Sequence, residues 1–327
     1  MQIPASQTAS SLLIQSTLSH RFSSTCTAID RLLTPQAHVK RFKQQYDESA
    51  PAGLGLGTVV ELMGPPGIGK SRTAMGFVLA ERFREDGGEV LIVDAEGSLL
   101  PALLKDTVTA YGAHHGYDDS SVREVLEGTR YRRIDSAWLL VAFFISLETW
   151  LANHPKVTLI VIDSLTAHFR PHLDVSTRNH LADTIRSTLS AVCSTGRVSV
   201  ILTTSLSLKL FDPLGRPSSW SREAEGLLVP QIAEKWMPES LPGGGGGWRV
   251  LLYYSETGER LARLVSSPTS AQATDAAFTM DLLGPCDYPV PPEPGAEEGE
   301  EPPDEDYDEE ERTPTSAAVE AAVQNTS

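Results

Sequence analysis

Gly64-Pro65-Pro66-Gly67-Ile68-Gly69-Lys70-Ser71 sets two glycines, a lysine and a hydroxyl at the G-x-x-x-x-G-K-[ST] spacing of a phosphate-binding loop. Glycines let the backbone curl so that successive N–H groups point inward at phosphate oxygens, and the helix that comes next adds its positive end. On this reading residues 64–71 and Arg72 surround a nucleoside triphosphate, Lys70 reaches its terminal phosphates, and the Ser71 hydroxyl ligates magnesium. A Gly/Pro turn that merely precedes a lysine is the plain alternative. The apolar run Thr58–Met63 before the loop and the helix-compatible stretch Thr73–Arg84 after it favour the phosphate loop.

Two carboxylates further along suit the same chemistry. Asp163 closes the apolar run Val157–Ile162, and in open α/β sheets ligands sit beyond the carboxyl ends of strands. There it would hold Mg²⁺ together with Ser71. Glu96 comes just after the run Glu89–Asp94, the strand after the loop's helix, and would orient and partly deprotonate a water in line with the γ-phosphate. Asp94 is a weaker candidate for that role. The structural alternatives are an Asp that caps the next turn and a Glu engaged in a helix cap or surface pair.

The elements that must position these groups alternate strand and helix, the pattern of a mostly parallel sheet with helices on both faces. Thr58–Met63, Glu89–Asp94, Val157–Ile162 and Val198–Thr203 read as buried strands, with Tyr131–Ile134 a shorter one. Phe22–Leu33 reads as a turn entering a short helix. Leu181, Ile185, Leu189 and Val192 recur at helical spacing. Ser136–Ala152 reads as a mostly apolar, deeply packed helix whose Trp138, Phe143, Phe144 and Trp150 belong to the core. Residues 206–230 have no clear periodicity and carry Lys209, Arg216 and Arg222. A stretch this long without structure of its own is usually functional or disordered. Trp248–Ser255 and Arg260–Val265 flank a hairpin turn, and Phe278–Leu283 could add a strand. The five glycines 243–247 make a flexible tip.

Composition narrows the rest. The net charge is −16, but residues 293–312 carry twelve acids and one arginine, so −11 sits there and −5 elsewhere. The folded part is therefore mildly acidic, and any DNA contact must come from local loops rather than a global positive field. Three widely spaced cysteines, Cys26, Cys193 and Cys286, suggest neither a disulfide framework nor a zinc site, and suit a reducing compartment. The longest apolar run, Ala137–Ile145, is too short to span a bilayer. Residues 1–28 lack acids and are rich in Ser and Thr, a faint likeness to a mitochondrial transit peptide; a flexible N-terminus is preferred.

Taken in order, Phe22–Leu33, the phosphate loop, Val93-Asp-Ala-Glu-Gly-Ser98 and Leu159-Ile-Val-Ile-Asp-Ser164 resemble the RecA-like recombinases of homologous recombination. Ala167-His168-Phe169-Arg170 resembles the segment just after the second acidic strand in the eukaryotic members. Leu228-Val-Pro-Gln-Ile-Ala-Glu-Lys-Trp236 and Ser266-Ser267-Pro268 look most like the C-type paralogue of the eukaryotic recombinase. The likeness covers about residues 22–288. It implies a RecA-like P-loop core over 22–288, with a surface insertion at 34–52, between a flexible leader (1–21) and a disordered acidic tail (289–327). It also implies ATP and Mg²⁺ as ligands, slow ATP hydrolysis, a nuclear location, and work in a complex of recombinase paralogues on single-stranded DNA or recombination junctions.

The departures from the family pattern are specific. Residues 1–21 are too few for the helical DNA-binding domain of the catalytic recombinases. Their γ-phosphate-sensing Asn-Gln pair is Thr204-Ser205 here, and serine reaches less far. The first DNA loop is short, leaving Arg170, His172 and Arg178 as candidates, and the second falls within 206–230 with Lys209, Arg216 and Arg222. Phosphate contacts by these residues would give salt-dependent binding; ordinary surface basic residues are the equal alternative. A nucleotide-stabilised scaffold without catalysis is the second reading. A small-molecule kinase is the third, and it lacks an Arg-rich lid.

Overall fold

The structure, a computed structural model, describes residues 20–34, 52–168, 175–211, 225–230, 247–267 and 274–287, with backbone alone for 175, 207–211 and 225–230. All lie within the unit Met1–Tyr288. The leader before His20, most of the 34–52 stretch, Arg170, His172, Arg216, Arg222 and the acidic tail fall outside the described residues.

Strands β1 (Arg21–Phe22) and β2 (Leu54–Gly55) pair as a small antiparallel ribbon. The main sheet contains β3 (Val59–Gly64), β4 (Glu89–Asp94), β5 (Thr129–Arg133), β6 (Val157–Asp163), β7 (Ser199–Phe211), β8 (Glu225–Pro230), β9 (Gly247–Tyr254), β10 (Arg260–Ser266), β11 (Asp275–Met280) and β12 (Pro285–Asp287). Its order is β12-β11-β10-β9-β3-β7-β6-β4-β5, with β8 on β7. From β5 through β9 every pairing is parallel, and from β9 to β12 every pairing is antiparallel. Helices α1 (Thr27–Leu32), α2 (Lys70–Arg82), α3 (Pro101–His114), α4 (Asp119–Glu127), α5 (Ala137–Asn153) and α6 (Val175–Ser194) complete the set.

The central strands β3, β4, β6 and the start of β7 are mostly apolar because both faces are covered, whereas the edge strand β5 (Thr-Arg-Tyr-Arg-Arg) is polar and partly exposed. Alternate residues divide between two cores. Val60, Leu62, Val90, Ile92, Leu159, Val161 and Ile201 pack with α2 residues such as Phe77 and Val78. Leu91, Val93, Ile160, Ile162, Val200 and Leu202 pack with α5 and α6 residues such as Phe144 and Ile185. Each such side chain contributes about 1.5–3 kcal/mol by leaving water.

Three expectations change. First, α5 is capped by Ser136, whose hydroxyl accepts from the Leu139 N–H at 3.3 Å, but it is buried on one face only. Leu140, Phe143, Phe144, Leu147 and Leu151 face the sheet. Trp138 is 73% exposed, Leu139 and Ile145 are also exposed, and Trp150 is half-buried. A helix that is apolar all round does not reveal which stripe meets the sheet. Second, the strand expected to end at Thr203 runs on to Phe211, and β8 pairs with it antiparallel from Leu206↔Pro230 to Phe211↔Glu225. The stretch 206–230 thus carries a strand at each end. The alternating Leu206, Leu208 and Leu210 are the period-2 signal for the first of them. Third, α3, α4, β1, β2 and β12 join the architecture without having been expected.

Candidate active site

Register, rather than sequence distance, assembles the site. Parallel pairing sets Gly64 opposite Ser205 and Asp94 opposite Asp163, so the carboxyl ends of β3, β6 and β4 and the middle of β7 at Thr203–Ser205 form one rim. The phosphate loop leaves this rim from β3. It enters α2 through Gly69, whose φ of 112° lies in the left-handed region that side chains avoid. A Cβ there would also meet the Met280 methyl at 2.3 Å. The antiparallel end of the sheet backs the loop: the Tyr254 hydroxyl donates to the Gly67 carbonyl at 3.4 Å, and Arg72 Nη1 donates to the Asp281 carbonyl at 2.6 Å.

Lys70 curls back over its own loop, donating to the Gly64 and Pro65 carbonyls at 3.0 Å each. Burial lowers its pKa from the ordinary lysine value, while the charges of Asp163 and then Glu96 oppose that shift. Pro66 and Gly67 are exposed, Ile68 is buried, and Ser71 is half-buried at the first turn of α2.

Asp163 is 1% exposed. Ser98 and Thr203 hydroxyls each donate to one of its oxygens, which is how a buried carboxylate is satisfied. Its carbonyl accepts from the Ala95 N–H at 2.7 Å and the Glu96 N–H at 3.3 Å, tying the turn after β4 to the end of β6. The Glu96 side chain is exposed. Asp94 is wholly buried and engaged by Gly97, Tyr131 and Arg133, so it is a structural anchor and not a second base. The carboxylate of Asp163 and the hydroxyl of Ser71 are hard oxygen donors, the kind magnesium takes while retaining waters.

Ser205 is half-buried, and its backbone N–H donates to Thr166 Oγ1 at 3.1 Å. Next to it, Thr204 donates to Glu61 Oε1 at 2.7 Å, and Glu61 pairs with Arg249 at 2.8 Å. Of the basic candidates for DNA, Arg178 is exposed on α6, and Lys209 lies on β7 in the part described by backbone alone. Ser98, Thr203, Tyr131 and Arg133 were not anticipated. Ser98 lies two residues after Glu96 and Thr203 one before Thr204-Ser205, a usable signal. Nothing in the sequence announces that Tyr131 meets Asp94.

A protein-family profile described as an AAA domain matches residues 32–204, more than half of the chain. Similar curated proteins include the DNA repair protein RAD51 homolog 3 of Cricetulus griseus, 26% identical over 258 residues, covering 73% of this chain and 66% of its own. The protein of the same name from Dictyostelium discoideum is 22% identical over 244 residues, covering 70% and 60%. The DNA repair and recombination protein RadA of Methanocorpusculum labreanum is 27% identical over 265 residues, covering 76% and 75%. The chain spans less than two thirds of the length of the first two. By the family match and a parallel sheet that opens on a phosphate loop, this chain belongs to the AAA-domain family, and the proteins it is similar to include RecA-like recombinases.

Proposed function

We propose that the chain binds ATP and Mg²⁺ at this rim, hydrolyses ATP slowly, and assists homologous recombination and strand exchange within a complex of recombinase paralogues on DNA. The observation that carries the reading is geometric: the strand register brings the end of β6 to the rim from which the Lys70 loop leaves, and there the Asp163 carbonyl accepts the Glu96 N–H at 3.3 Å. Residues 64–72 cradle the triphosphate. Lys70, already stripped of much of its water, exchanges the Gly64 and Pro65 carbonyls for terminal phosphate oxygens. Ser71 and Asp163 hold magnesium, which when bound neutralises phosphate charge. Ser98 and Thr203 keep Asp163 oriented. Glu96 holds the attacking water and takes its proton as the water adds to the γ-phosphorus and ADP leaves. Each of these roles rests on position at the rim and on side-chain chemistry.

The domain reading is a core over 22–288 and an acidic tail over 289–327, with nuclear action alongside other paralogue subunits. Arg170, Arg178, Lys209, Arg216 and Arg222 are the proposed contacts to single-stranded DNA or recombination junctions. The scaffold reading, ATP binding without useful turnover, is favoured by one observation: Ser205 stands where the family carries a longer sensing side chain, and its N–H is already bound by Thr166.

Turnover of radiolabelled ATP by the chain with its paralogue partners, with and without single-stranded DNA, separates the two. Turnover that falls steeply in Glu96→Gln while nucleotide binding persists is the expected result. Turnover indifferent to Glu96→Gln removes that residue's role, and no DNA binding at moderate salt with partners present leaves the scaffold.

A further inference from the structure

Glu96 stands on a short turn, residues 95–98, between β4 and the segment leading to α3. A glycine in such a turn gives it freedom, so something must hold it if Glu96 is to keep one orientation. The holder is Asp94, which is wholly buried. Its Oδ1 accepts from the Gly97 N–H at 2.5 Å and from Arg133 Nη1 at 3.0 Å. Its Oδ2 accepts from the Tyr131 hydroxyl at 2.9 Å. Arg133 Nη1 also donates to the Asp94 carbonyl at 3.2 Å, and that carbonyl accepts the Ile134 N–H at 2.9 Å.

The same guanidinium covers the turn from outside. Gly97 has φ +89°, and a Cβ there would lie 3.1 Å from Arg133 Nη2. The turn is thus gripped through its amide by Asp94 and capped by Arg133. Tyr131 and Arg133 are two residues apart on β5, so they share a face of that strand, and β5 ends the order of the described sheet. Burial, then the hydrogen bond to Asp94, pushes the Tyr131 phenol up to about 12. It therefore remains a donor throughout the neutral range.

We propose that Asp94, Tyr131 and Arg133 form a positioning clamp that aims Glu96 at the attacking water, an inference that rests on the hydrolytic reading of Glu96 above. None of the three touches the nucleotide; each acts through the turn. Misplacing a reacting group by an ångström can cost up to about a hundredfold in rate. Because aim matters only during reaction, loosening the clamp lowers kcat and leaves nucleotide affinity alone. Arg133 is 43% exposed, so its replacement spares the core.

The test uses the full chain with Arg133→Gln, Arg133→Lys and Tyr131→Phe, each alone and combined with Glu96→Gln. Measurements are kcat and KM for ATP, affinity for a fluorescent ATP analogue, melting temperature, and amide hydrogen exchange at Gly97. Arg133→Gln is expected to lower kcat about tenfold, within the range set by misalignment, with affinity changed less than about twofold. Arg133→Lys recovers part of the loss, and Gly97 exchanges faster in Arg133→Gln. In the Glu96→Gln background Arg133→Gln has no further effect on turnover. Equal losses in both backgrounds, a loss carried by affinity, or unchanged Gly97 exchange overturns the clamp. If Glu96→Gln abolishes turnover and the Arg133 variants leave it intact, only the clamp fails. If Glu96→Gln itself leaves turnover intact, the hydrolytic reading fails and the clamp with it.

Discussion

Asp94 and Asp163 stand directly opposite each other in the register of β4 and β6, both buried, yet their carboxylates have different partners. Asp163 is approached by two neutral hydroxyls, from Ser98 and Thr203. Asp94 is neutralised by Arg133 at 3.0 Å and turned toward the sheet edge. Two identical residue types, one strand spacing apart, are thus given different partners by what surrounds them.

Lys70→Ala removes the ammonium that the loop carbonyls hold at 3.0 Å. ATP turnover should fall by about a hundredfold or more, the scale of deleting a preorganised charge at a phosphoryl-transfer site. A steady-state phosphate-release assay reads it, and turnover close to wild type would show that Lys70 does not engage the reacting phosphate.

The pair Glu61–Arg249 is buried in the middle of the sheet, at 2.8 Å, and links β9 to the P-loop strand. Arg249→Leu leaves the Glu61 charge uncompensated, and breaking such a pair costs about 3–5 kcal/mol. Urea denaturation should report that loss, and Glu61→Leu with Arg249→Leu should recover most of it. A single variant as stable as wild type would mean the charge is solvated.

On α5, Phe144→Ala should destabilise by about 3–5 kcal/mol, since Phe144 is buried in the second core. Trp138→Ser should fall within about 0.5 kcal/mol of wild type, because Trp138 faces outward. Equal costs for the two would mean that an additional surface covers Trp138.

Glu81 carries the pH dependence worth testing. Burial alone would raise its pKa, but bonds from His20, the Gly88 N–H and Thr158, with the His20 charge, bring it below its ordinary 4.5. Arg84 adds a contact at 3.4 Å. With the folded value depressed, the unfolded chain binds more protons across that interval. The stabilisation is present above the ordinary value and is lost as pH falls through the folded one. The melting-temperature gap between wild type and Glu81→Gln should be fully open above the ordinary 4.5 and narrow as pH falls below it; a gap independent of pH would show that Glu81 acts only through packing.

The phosphate loop was legible because its chemistry is local: eight consecutive residues, a strand before and a helix after, with the glycines required by the backbone itself. The apolar runs that became β3, β4, β6 and the start of β7 were legible for a similar reason, since a strand buried on both faces needs an unbroken apolar sequence. Glu96 and Asp163 could be suspected from their positions at the ends of such runs. The sequence did not decide which side chains would meet across the sheet. Only the parallel register set Asp94 beside Asp163, brought Ser98 and Thr203 to the latter, and swung Tyr131 and Arg133 from a strand some forty residues away onto the former. The exposed stripe of α5 was hidden for the complementary reason: its composition is apolar all round, and only docking against the sheet separates the buried face from the face left to water. Residue identity determines what a group can do, whereas hydrogen-bond partners and burial, which are tertiary properties, determine which of two identical groups does it.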